Sequence, residues 1–224
     1  MVKRLVVQTL VWFGAFGVIL FLCAGTLGWP GAWFYLAEMV GPGLAVGLWF
    51  AKHDPGLLDE RLRPLVQEEQ TPADKVLMSL IMGLMFGWLV LMGFARRFEW
   101  WPVAAWVQIL GAAAIGVSIY VSVLTMRANS FAAPVVKIQR ERGQSVVTSG
   151  PYRYVRHPMY GGAIFYFLGM PLLLGSWVGV VVAPVLVGLL AIRILIEERT
   201  LRAALEGYDA YAARVRYRLV PGVW

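Results

Sequence analysis

Arg156 and His157 stand side by side just before a long apolar stretch, and Glu197 and Glu198 stand side by side at its far end. A guanidinium offers planar, bidentate donors to carboxylate or phosphate oxygens, and paired carboxylates accept from ammonium or hydroxyl groups. Tyr152, Tyr154 and Tyr160 add aromatic faces and hydroxyls to the first cluster, with Asn129, Lys137 and Arg153 upstream in the same polar segment. A pocket built from these groups suits a zwitterionic ligand carrying an amine, a carboxylate and hydroxyls. From the first cluster alone, a belt of Tyr and Arg anchoring a helix end at a membrane surface is an equal reading. The spacing also allows Glu197 to pair with Arg193 at i,i+4, which would occupy one of the two acids. Two acids plus the Arg-His cluster exceed what a helix border requires.

Such residues need elements to hold them, and the composition says which kind. Of the 224 residues 59% are hydrophobic and 15% charged, and the mean hydropathy is +0.67, which a water-exposed surface does not permit. The chain therefore reads as an all-α, polytopic membrane bundle. Residues 5–27 carry no charge over 23 positions, enough to cross about 30 Å of hydrocarbon at about 1.5 Å per residue. Further spans are expected over 31–51, 76–95 and 102–126. Residues 158–192 are 35 uncharged positions, too long for one crossing, and Gly175-Ser176 marks a turn between two helices, with Pro171 and Pro184 as kinks. Pro158 fits the first helical position, led in by His157. This gives five or six membrane helices, the last two a hairpin. After the hairpin, Leu201, Leu205, Tyr208, Tyr211 or Ala212, and Val215 recur at helical spacing among charges, predicting an amphipathic helix on the membrane surface.

The net charge of +7 does not point to nucleic acid, because the basic residues flank the apolar runs. With the hairpin in place, all of the 20 Lys and Arg except Arg96 and Arg97 fall on one side. The positive-inside rule makes that side cytoplasmic, with both termini and both long loops. The chain is one membrane domain, residues 1–224: four spans over 1–126, then loop, hairpin and C-terminal helix over 127–224. Gly43 with Gly47, Gly83 with Gly87, and Gly175 with Gly179 fit the small-xxx-small packing pattern. Cys23 reads as a buried packing residue, and His53 with Asp54-Pro55 as a helix stop. Glu38, alone in its span, is a candidate acceptor-facing or proton-linked group, or is solvated near the outer surface. No P-loop, HExxH or paired Cys/His spacing is present, so no metal is expected.

At the two charged clusters the sequence resembles the isoprenylcysteine carboxyl methyltransferase family and its phospholipid methyltransferase relatives. The resemblance rests on Gly150-Pro-Tyr-Arg-Tyr-Val-Arg-His-Pro-Met-Tyr-Gly161, then Glu197-Glu198-x-x-Leu201, Gly207-Tyr208-x-x-Tyr211 and Arg214-Val-Arg-Tyr-Arg-Leu-Val-Pro221. It covers about the C-terminal third of the chain. It implies S-adenosylmethionine in a cytosolic pocket covered by the C-terminal helix, leaving S-adenosylhomocysteine after transfer, with a lipid-like methyl acceptor arriving from the bilayer. The cofactor contacts it implies are Tyr152, Arg153, Arg156, His157, Pro158, Tyr160, Gly161, Glu197, Glu198, Tyr208 and Tyr211. Arg156 and His157 are expected to hold the methionyl carboxylate, and one of the two acids its ammonium or ribose. Arg156, Glu197 and Glu198 are the expected catalytic groups, Arg156 orienting a carboxylate acceptor or an acid serving as base for an amine.

Within that resemblance the expected acceptor is the carboxylate of an isoprenylcysteine-like molecule, with a phospholipid amine as the alternative. Two other classes remain open. A membrane reductase of the sterol-reductase kind would bind NADPH instead. A small transporter would use Glu38 as its ion site, and it leaves the Arg-His and Glu-Glu clusters without a purpose.

Overall fold

The computed structural model describes all 224 residues. Eight helices follow in order: α1 (Val2–Ala24), α2 (Pro30–His53), α3 (Pro55–Arg61), α4 (Pro72–Arg97), α5 (Ala105–Ala128), α6 (Pro158–Leu173), α7 (Trp177–Ala204) and α8 (Tyr208–Arg214). There are no strands, only an isolated bridge between Pro102 and Ser176. Five of these helices, α1, α2, α4, α5 and α7, are long and apolar enough to cross a membrane, and α6 is a shorter apolar helix of 16 residues.

The ends of the helices are written locally. Gly25 closes α1 in the left-handed conformation at φ 68°, which costs a residue without Cβ nothing. Asp54 ends α2 and caps α3 by accepting from Leu57 N at 3.0 Å, with Pro55 at the first helical position. Thr71 caps α4 through Asp74 N, followed by Pro72. Pro158 opens α6 directly after His157. The hairpin turns at Gly175, φ 80°, and Ser176 caps α7 through Gly179 N at 3.1 Å. Pro171 and Pro184 lie inside α6 and α7.

The amphipathic tail is shorter than its periodicity predicts. α7 runs on to Ala204, Leu205 turns extended, and Gly207 at φ 79° leads into the seven-residue α8. The periodic residues still meet: Tyr208, Tyr211, Ala212 and Val215 form one buried cluster against Leu201, Leu205, Val146 and Tyr152. The contacts survive the break because Gly207 redirects the chain without moving its apolar face away.

The main apolar core, around Leu20, Trp88, Met92, Ile115, Met170 and Leu186, ties α1, α4, α5, α6 and α7 together. Trp88 donates its ring N–H to Gly179 O at 2.9 Å, and the Tyr35 and Tyr166 hydroxyls pair at 2.8 Å. Both contacts satisfy polar atoms that hydrocarbon would leave unpaired. Cys23 packs against Gly93 of α4. Large apolar side chains such as Val11, Leu22, Ile109 and Val181 stay exposed along the spans, as lipid-facing surface does.

One end of the bundle gathers the N-terminus, α3, the 129–157 loop and the C-terminal tail. Arg4 pairs with Asp59 at 3.1 Å, Arg61 Nη1 donates to Ala132 O at 3.0 Å, and His157 N donates to Arg218 O at 2.9 Å. The opposite end holds Arg97 beside Gly25, and Val103 N bonds Gly175 O at 3.1 Å.

Candidate functional site

The polar loop before α6 is fastened to its surroundings by buried charges. Asp74, fully buried in the first turn of α4, accepts from Arg193 Nε at 2.9 Å, Gln70 Nε2 at 2.6 Å and Val136 N at 2.9 Å. Arg193 Nη2 in turn donates to Pro134 O at 2.6 Å. The expected Arg193–Glu197 pair is therefore not made. Arg193 sits on the α7 face that meets α4, where Asp74 takes its Nε and the loop carbonyl of Pro134 its Nη2. Lys137 reaches Glu60 of α3 at 2.8 Å and Gln67 Oε1 at 3.0 Å. Burial raises the Glu60 carboxyl, but hydrogen bonds and charge from Lys137 and Arg63 outweigh it and hold the group below its ordinary value.

Past this anchor, the chain pairs with its own C-terminal tail. Arg156 N donates to Tyr217 O and His157 N to Arg218 O, both at 2.9 Å. The Arg156 side chain is buried: Nε donates to Glu198 Oε1 at 2.7 Å, and Nη1 to Val215 O at 2.7 Å and Arg216 O at 2.9 Å. Glu198, 3% exposed, also meets His157 Nε2 at 3.3 Å and Arg218 Nε at 3.1 Å. Both its oxygens are spent inside the protein. Glu198 is thus a clamp that joins α7, the start of α6 and the tail.

Glu197 is turned the other way. Its Oε2 accepts from the Tyr160 hydroxyl at 2.7 Å and lies 3.9 Å from His157 Nδ1, while Oε1 has no protein donor. It faces a cavity of about 350 Å³ that Tyr152, Arg156, His157, Pro158, Tyr160, Tyr208 and Tyr211 also line. Tyr211 donates to Tyr152 O, and Asn129 Nδ2 donates to the Tyr152 hydroxyl, both at 2.9 Å. The buried Tyr208 hydroxyl has no partner at all. Burial pushes the Tyr211 hydroxyl up to about 12 and the Tyr152 and Tyr208 hydroxyls higher, with Glu198 and Glu197 adding to the rise at Tyr208. All three stay neutral at physiological pH and so keep a proton to donate.

Three of the residues expected at the ligand do not line this cavity. Arg153 is exposed on the outer side of its turn. Gly161 sits beneath the C-terminal tail, where an added Cβ would meet Leu219 O at 3.6 Å. Glu198 is spent as described. Glu38 of α2 is also outside the lining. Other lining residues carried no motif: Arg61 at the end of α3, Arg193, Gln144 and Thr200. Arg61 counts only as a topology charge in the sequence, and its place in the cavity depends on α3 folding under the loop.

A bundle of membrane-length helices with a charged cavity at one end fits a multi-pass membrane protein. Residues 106–206, from α5 to just past α7, match the family model described as phospholipid methyltransferase. That stretch contains both charged clusters and stops just before Tyr208. The match agrees with the motifs read from the sequence, and over this stretch the chain is similar to phospholipid methyltransferases. No curated protein matches it.

Proposed function

We propose that the protein transfers a methyl group from S-adenosylmethionine, held in the α6–α8 cavity, to a lipophilic acceptor. The observation that carries this reading is a pair of residues within the motif region, Glu197 with an open Oε1 and Tyr208 with an unpartnered hydroxyl, that line one cavity. The donor set fits the cofactor chemically. Glu197 would accept from its ammonium or ribose hydroxyls, Tyr208 would donate, and the apolar Leu201 and Leu205 in the same wall suit a flat base. The cavity volume lies within the range of small-molecule sites, about 300–1,000 Å³.

Bound, S-adenosylmethionine supplies an electrophilic methyl: a bond forms from acceptor oxygen or nitrogen to the methyl carbon, the carbon–sulfur bond breaks, and a neutral thioether leaves. The protein's work is then to orient the partners and keep water out. α8 and the tail cover the site, and Tyr211 to Tyr152 and Arg156 to the 215–216 carbonyls hold that cover down. A carboxylate acceptor, as in an isoprenylcysteine, needs no base. A phospholipid amine must lose a proton, and Glu197 is the acid with an open oxygen to take it. Both acceptor classes stay within this reading. The end of the bundle that gathers the termini and loops faces the cytoplasm, on the strength of its positive charge.

Calorimetry of the detergent-purified protein tests the class. S-adenosylmethionine and S-adenosylhomocysteine should bind and NADPH should not; binding of NADPH alone would hand the cavity to a reductase.

A further inference from the structure

Four cationic side chains line the cavity, and the protein answers the charge of three. Arg156 meets Glu198 at 2.7 Å, Arg193 meets Asp74 at 2.9 Å, and Lys137 meets Glu60 at 2.8 Å. Arg61 makes no ion pair. Only its Nη1 is engaged, with the carbonyl of Ala132 at 3.0 Å and Met159 Sδ at 3.7 Å. Nε and Nη2 have no protein acceptor. The acids closest to it in sequence are committed elsewhere: Asp59 to Arg4 at 3.1 Å, and Glu60 to Arg63 at 3.1 Å as well as to Lys137.

A guanidinium half-withdrawn from water without a counter-ion is costly, and it stays charged across the physiological range. Burial is the main influence on Arg61, pulling its pKa below the ordinary arginine value, and no carboxylate raises it back. Tyr152 feels both Arg61 and Glu197, so an unspent positive and an unspent negative group flank one hydroxyl. An incoming ligand with an anionic group therefore meets a preorganised donor fork on the α3 side.

The geometry points to an anion-receiving subsite at Arg61, where the guanidinium takes a carboxylate or phosphate oxygen of a molecule held in the cavity. The inference deepens the methyl-transfer reading and rests on the same cavity. The anion has two sources, the carboxylate of the methyl donor or the headgroup of an amphiphilic acceptor. Arg61 lies outside the stretch that matches the family model, and it borders an apolar cluster of Leu57, Leu58, Leu62 and Met126 with Met159 and Ala132 beside them. Its neighbourhood thus offers a charged head and an apolar floor together.

The test uses the full chain in an uncharged detergent, with Arg61→Gln and Arg61→Lys. Two probe pairs are titrated: S-adenosylhomocysteine against methylthioadenosine, which lacks the amino-acid carboxylate, and dihexanoyl phosphatidylethanolamine against dihexanoylglycerol. Arg61→Gln should weaken one anionic probe roughly tenfold while its uncharged counterpart is unaffected, and Arg61→Lys should recover part of the loss. A loss confined to S-adenosylhomocysteine assigns the subsite to the donor, and one confined to the phospholipid assigns it to the acceptor. Unchanged affinity for both anionic probes overturns the subsite, as does an equal loss for charged and uncharged probes, which a structural role for Arg61 would give. Wild-type protein that binds the phospholipid but not S-adenosylhomocysteine leaves the subsite standing and removes the methyl-transfer reading. Wild-type protein that binds neither anionic probe removes both.

Discussion

Glu197 and Glu198 are neighbours in the chain, yet α7 rotates them about 100° apart and so gives them different duties. Glu198 is surrounded by Arg156, His157 and Arg218, and its charge offsets cations that would otherwise be buried without a partner. Glu198→Gln should destabilise the protein by about 3–5 kcal/mol, the cost of breaking one side of a buried ion pair, read as a lowered unfolding midpoint. Glu197→Gln should leave that midpoint unchanged and weaken S-adenosylhomocysteine binding roughly tenfold, about 1.4 kcal/mol, read by calorimetry. The reverse pattern, with binding lost and stability kept in Glu198→Gln, would exchange the two roles. The sequence could show that both acids belong to one cluster with Arg156 and His157. It could not show which acid faces the cavity, because that depends on where α6 and the tail dock against α7.

The scale of whole helices is decided by a few close crossings. Gly111 of α5 and Gly169 of α6 meet backbone to backbone: a Cβ on Gly111 would stand 2.7 Å from Gly169 O, and one on Gly169 would stand 2.7 Å from Gly111 O. Gly111→Ala must therefore push α5 from α6 and should cost about 1–3 kcal/mol, measured as resistance to unfolding in SDS. Because α6 begins at the cavity wall, the same change should also weaken S-adenosylhomocysteine. Gly83→Ala, where nothing lies within 4 Å, should be neutral or stabilise by up to about 1 kcal/mol through helix propensity. Equal losses for the two variants would rule out the crossing as the special contact. Spacing alone misleads here. Of the small-xxx-small glycines, Gly47 packs on Leu5 and Gly179 on Pro171 and Met92, while Gly43, Gly83 and Gly87 face open space. A repeat marks a smooth helix face, but only the neighbouring helix determines whether that face is used. The hairpin turn at Gly175, by contrast, was legible because a positive φ and a capping serine are local requirements.

Across the whole molecule, positive charge concentrates at the end that holds the N-terminus, α3, the loop and the tail, and Arg96 and Arg97 lie at the other. In a Cys23→Ser background, a cysteine at exposed Trp100 should react with a membrane-impermeant maleimide added to intact cells, and one at exposed Lys3 should react only after permeabilisation. Labelling of Lys3→Cys from outside would invert the orientation and move the cavity away from cytosolic donor. The sequence by itself determined the membrane class, the first four long spans, the hairpin turn and the two charged clusters, because hydropathy, proline, glycine and caps act within a turn or two of chain. Tertiary structure alone decided that Arg193 answers Asp74 across 119 positions, that Glu198 is spent and Glu197 open, and that Arg61 from α3 enters the cavity uncompensated. Those outcomes follow from which charges are brought within about 4 Å after the helices pack, and no local pattern carries that distance.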